Sequence, residues 1–133
     1  MKTKLQKKLA IAAPNLCVST IWEHDDDCSF RETFQDRPKE RPEDWQCWQS
    51  TVVVQAIYRG ELIEGCAYLG GTWEKYGDSP HRTNPTIGGF EPQKTEEALL
   101  ELRQQLLYRK AQDHGGELLN QIAHAVQRCQ KQP

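Results

Sequence analysis

The stretch WQSTVVVQAIYRGELIEGCAYL, residues 48–69, decides the fold. Trp48, Val52, Val54, Ala56 and Tyr58 point one way, while Gln49, Thr51, Gln55 and Arg59 point the other. That period of two marks a half-buried strand. Gly60 then permits a tight reversal at Arg59-Gly60-Glu61. Leu62 to Leu69 runs back, with Ile63, Gly65, Ala67 and Leu69 on the inner face. The pattern predicts a β-hairpin over 48–69.

Upstream, Leu16 to Glu23 also alternates: Leu16, Val18 and Trp22 share a face, and Pro14-Asn15 introduces the run. This predicts another strand. Residues 1–12 read as a short basic helix with Leu5, Leu9 and Ala12 on one side. Its lysines, followed by Leu9 to Ala13, resemble a secretory leader. The apolar part is shorter than a working one, because Pro14 interrupts it.

Downstream, Gly70-Gly71 reads as the end of the returning strand, and Thr72 to Tyr76 as a short edge strand or turn. Gly77 to Pro92 holds three prolines and reads as an irregular loop. Thr95 suits an N-cap, with Glu96 and Glu97 in the first turn. A helix with a stripe of Leu99, Leu102 and Leu106 is predicted to run to about Gln112, stopped at His114-Gly115-Gly116. A second helix puts Leu118, Ile122, Ala125, Val126 and Cys129 on one face. The expected fold class is α+β: an antiparallel three- to four-stranded sheet packed by two C-terminal helices, the helical pair spanning 95–131 of a single domain.

The chain has 133 residues, enough to bury a core. Its net charge of −2 lacks the strong positive bias of a dedicated nucleic-acid-binding domain. No apolar run is long enough to cross a membrane. Five cysteines, an odd number without close pairing, argue against a disulfide framework and for reduced thiols in the cytoplasm.

The alternation vanishes between residues 24 and 47, where Pro38 and Pro42 interrupt regular structure. This segment reads as a long acidic loop with room for one helical turn. From Glu23 to Asp44 there are nine acids against four bases, a local charge of −5. The run Glu23-His24-Asp25-Asp26-Asp27-Cys28 offers carboxylates to a hard cation, but the calcium-loop spacing is missing, and adjacent residues of an extended chain point apart. No Cys or His spacing matches a zinc site, and neither diglycine opens a phosphate-binding loop. Cys47 or Cys66 with His81 could supply a nucleophile and base, without a local signature in support. No metal, cofactor or catalytic residue is therefore expected. What stands out is an acidic segment beside Trp45, Trp48, Trp73, Tyr76 and Phe90, because Trp and Tyr anchor protein interfaces.

The pattern Val52-x-Val54-x-Ala56-x-Tyr58-Arg59-Gly60, then Gly65, then Leu69-Gly70-Gly71-x-Trp73, resembles small uncharacterised proteins of phages and plasmids. An acidic, Trp-containing leader precedes it, and a helix like Glu96 to Leu107 follows, so the resemblance covers roughly residues 20–107. It implies a protein that binds and blocks host machinery, as anti-CRISPR and anti-restriction proteins do, and it transfers no functional residues.

The expectation is a non-catalytic protein-binding module of a mobile element, working in the cytoplasm of a bacterial host. Its partner would be a host protein or ribonucleoprotein complex. The contact residues would be Glu23, Asp25, Asp26, Asp27, Trp45, Trp73 and Tyr76. The last helix could pair with a second copy. The alternative is a small dimeric nucleic-acid-binding regulator that uses Lys2, Lys4, Lys7 and Lys8.

Overall fold

The computed structural model of the chain describes residues 2–27, 29–75, 90–109 and 116–131. In chain order these form α1 (Lys4–Ala12), β1 (Cys17–His24), α2 (Phe30–Thr33), a 3-10 turn (Pro42–Asp44), β2 (Trp45–Tyr58), β3 (Glu61–Lys75), α3 (Glu91–Tyr108) and α4 (Gly116–Gln130). The strands make one antiparallel sheet in the order β1-β2-β3, with helices packed on one face, as the alternation predicts. Three strands are present among the described residues. Tyr76, His81 and His114, the loop over 77–89 and residues 110–115 lie outside them.

Register places Val18 opposite Val54, Val54 opposite Gly65, and Ala56 opposite Ile63. The reversal is two residues, Arg59 and Gly60, with φ of 52° and 78°. Positive φ at both positions gives the turn whose twist matches the strands, and glycine at the second lowers its cost.

The hairpin is longer than expected, spanning 45–75 rather than 48–69. Gly70-Gly71 does not end β3. Between the pairs Trp48–Thr72 and Ser50–Leu69, β3 has one residue more than β2, which is a β-bulge, and Gly71 takes φ of 70° there. Strand pairing resumes beyond it, so Trp73 lies within β3.

The helix layer builds the core. Leu99, Leu102 and Leu106 on α3 are fully buried against Val52, Val54, Ile63 and Ala67. Burying each leucine contributes about 1.5–3 kcal/mol. Gly65 is where α3 comes closest to the sheet: a Cβ there would run into the Ala98 carbonyl oxygen. α4 packs on α3 and on α1, with Leu118, Ile122, Ala125 and Cys129 facing in. It folds back rather than extending outward. α1 contributes Leu5 and Leu9. A capping box opens it: Thr3 Oγ1 accepts from the Gln6 N–H while the Gln6 side chain accepts from the Thr3 N–H. The Thr3 hydroxyl also donates to Glu91, tying α1 to the start of α3.

That start corrects the expected helix boundary. α3 begins at Glu91, so Pro92 opens the helix instead of ending a loop. Proline is tolerated in the first turn because the N–H it lacks would have no helical partner. Thr95 is consequently inside α3 and fully buried, and its hydroxyl has no hydrogen-bond partner.

The acidic segment is also more ordered than a bare loop. It holds α2, the 3-10 turn and the first residues of β2. One thiol corrects the expectation of reduced cysteines: Cys47 is disulfide-bonded, while Cys17, Cys66 and Cys129 are free.

Candidate functional site

Alternation along β2 assigns its odd-numbered residues to the sheet face opposite the helices. By register, Ile21, Thr51 and Tyr68 meet on that face, as do Ser19, Val53 and Cys66, and Ile57 with Leu62. One end is covered. There Phe30 and Phe34 of the acidic segment stack on each other, Phe34 packs on Trp45 at 4.8 Å, and both meet the Trp73 edge at 5.5–5.7 Å. Both indoles are also anchored: Trp45 Nε1 donates to Glu40 at 2.8 Å, and Trp73 Nε1 to Thr33 at 3.1 Å. Cys47 is buried below. The two tryptophans expected at an interface are thus half-buried clamps that hold the segment to the sheet.

Beyond the clamp the face is open. Ile21, Ile57, Leu62 and Tyr68 are each about half exposed or more. A hydrogen-bonded row crosses all three strands: Tyr68 Oη donates to Gln49 Oε1 at 3.0 Å, and Gln49 Nε2 donates to Glu23 at 3.0 Å. This row borders the bulge, where Asp25 of the acidic turn is tied to Gly71.

The aspartates divide by role. Asp25 accepts from the Gly71 N–H at 2.9 Å through Oδ2, and from the Asp27 N–H at 3.1 Å through Oδ1. Its own N–H donates to the Cys47 carbonyl. It is partly buried and holds the turn to the bulge, whereas Asp26, Asp27 and Glu23 are exposed. Desolvation, then the nearby Asp25 and Asp27 charges, push the Tyr68 hydroxyl above its ordinary range, so it stays a neutral donor. The result is an acidic corner: Glu23, Asp25 and Asp27 around one exposed phenol ring, with Asp26 exposed on the same turn.

Two of the thiols, Cys66 and Cys129, are not poised for nucleophilic work. Burial, then the Glu101 and Glu64 carboxylates, push the Cys66 thiol up, the reverse of what an attacking thiolate needs. Cys129 is pushed up to about 12, chiefly by burial. His24 lies against Trp48 with ring centroids 4.1 Å apart, and His124 is exposed on α4. Among the described residues no three His, Cys, Asp or Glu side chains converge on a point that could hold a metal ion. No described helix is long and apolar enough to cross a membrane.

Sequence reasoning missed Tyr68, Gln49 and Ile21. The signal was present: Val52-Val53-Val54 is apolar on both faces of its strand, so a second face also needed an account. Comparison with protein-family models, curated proteins and solved structures found no match in any of the three.

Proposed function

We propose that this chain is a non-catalytic protein-binding module of a mobile genetic element, which docks on a basic surface of a host complex and inhibits or modulates it. The open sheet face carries the reading. It presents apolar side chains and an aromatic ring beside carboxylates that make no internal salt bridge among the described residues. Exposed apolar area rimmed by charge is the composition of a docking patch. An arginine of the partner could stack on Tyr68 while its guanidinium reaches Glu23 or Asp27.

The clamp gives this patch a fixed shape. Docking side chains that are already held lose less entropy on association. In a bacterial cytoplasm the Cys47 disulfide would be kept open by the thiol pool. The four packed rings, the two indole bonds and the Asp25 tether would then hold the segment.

The test is capture from bacterial lysate with the wild-type chain and with Glu23→Lys, Asp26→Lys and Asp27→Lys combined, leaving Asp25 intact. The wild type should retain a basic partner in a salt-sensitive way, and the variant should lose it while melting normally. Equal capture by both would remove the acidic corner from the account.

A further inference from the structure

We infer that the exposed face of α1 is a second docking surface, and that it takes the phosphodiester backbone of a nucleic acid. Lys4, Lys7, Lys8 and Ile11 follow the i, i+3, i+4, i+7 spacing of one helix face. All four are exposed, with Lys2 just ahead of them. Leu5, Gln6 and Leu9 form the opposite, buried face. The helix contains no acidic residue, and none of its lysines is in an ion pair among the described residues.

The arrangement is unfavourable for the helix by itself. Lys4, Lys7 and Lys8 are like charges three and four residues apart, and they sit near the positive end of the helix dipole. Among the described residues no carboxylate is paired with them, so an external polyanion is the ligand that relieves the repulsion. The stripe is also held in place. The capping box fixes the first turn, the Thr3–Glu91 bond secures it to α3, and Gln6 Nε2 donates to Thr20 of β1 at 2.9 Å. Lysines on such a rigid helix meet neighbouring phosphates without first ordering the backbone.

The same geometry selects among polyanions. A helix that lies on a membrane surface must bury an apolar face in the lipid. α1 has already spent Leu5 and Leu9 on the protein core, and Ile11 is the one large apolar side chain it has left. An anionic bilayer would therefore meet lysines alone, whereas a nucleic acid needs nothing more. This surface belongs to the helix layer, and the acidic corner to the opposite face of the sheet, so the two can be occupied independently.

Fluorescence anisotropy with a 20-base-pair DNA duplex and a 20-nucleotide RNA, across a salt series, tests this. Three to four contacts predict a log–log salt slope of about −3 on duplex and about −2 to −3 on single strands. Combining Lys4→Gln, Lys7→Gln and Lys8→Gln should weaken binding about tenfold or more and flatten the slope. It should leave the melting temperature unchanged or higher, because the repulsion is gone. The matching arginine triple variant should retain binding. Absence of binding to either probe at low salt overturns the inference. So does glutamine-variant binding equal to wild type, or wild-type binding to anionic phosphatidylserine vesicles with none to nucleic acid.

Discussion

Replacing Asp25 should cost stability, while replacing its two neighbours should not. Asp25 accepts two backbone N–H groups, from Asp27 and from Gly71 at the bulge. Both bonds are exposed, so water can replace the carboxylate when it is removed, and each contributes only about 0.5–1.5 kcal/mol net. Asp25→Ala should therefore lose about 1–3 kcal/mol. A chain of this size melts about 3–5 °C lower per kcal/mol, which places the drop between about 3 and 15 °C. Asp26→Lys and Asp27→Lys together should stay within about 0.5 kcal/mol of wild type, as ordinary surface changes do. Asp27 keeps its backbone N–H, which is the group Asp25 holds. Urea titration with thermal melts at one pH measures all three proteins. If Asp25→Ala melts with the wild type, the carboxylate is not the tether of the acidic turn. If the double lysine variant is the destabilised one, the division between folding and contact carboxylates fails.

Thr95→Val should be neutral or stabilise by up to about 1 kcal/mol, since it removes a buried hydroxyl without a partner at constant shape. A true N-cap would lose about 1 kcal/mol instead, so the sign of the change in a urea melt settles the helix start. Gly65→Ala should cost about 2–3 kcal/mol, because its Cβ meets α3 backbone at Ala98 and Leu102, which cannot rotate away. A midpoint within error of wild type would refute that close approach. Burial raises the Glu91 carboxyl above its ordinary 4.5, outweighing the Thr3 bond that lowers it. The folded state thus binds this proton more tightly than the unfolded one. Its contribution to stability rises as pH falls from neutral through the raised pKa, and levels off near the ordinary value. Glu91→Gln should flatten that part of the stability–pH curve. A variant with the wild-type slope would contradict the assignment.

The parts of the fold legible in the sequence are those whose cause is local. Alternation in β2, glycine at the hairpin turn and the apolar face of α4 each follow from residues within a few positions of one another. The parts that were not legible depend on partners far along the chain. Pro92 looks like a breaker until the Glu91–Thr3 bond shows that a helix starts there. Gly70-Gly71 looks like a strand end until β2 is laid beside it and pairing resumes at Thr72. Trp45 and Trp73 read as exposed aromatics in the sequence, and only the fold shows Phe30 and Phe34 packed against them. Three consecutive aspartates are equivalent as text, and only a bond spanning 46 residues separates Asp25 from the other two.

Charge behaves in the same way. A net charge of −2 argues against a nucleic-acid binder only if the charges are mixed over the surface. Here they are segregated: residues 2–13 carry four lysines and no acid, while residues 23–44 carry nine acids against four bases. The fold then assigns the lysines to the helix layer and the acidic segment to the opposite face of the sheet. With a Debye length of about 8 Å at physiological salt, a partner at one face senses the near patch and little of the other. The quantity that governs each encounter is therefore the local charge of one face. A ribonucleoprotein target, with basic protein and exposed phosphates side by side, is the kind of partner that could engage both.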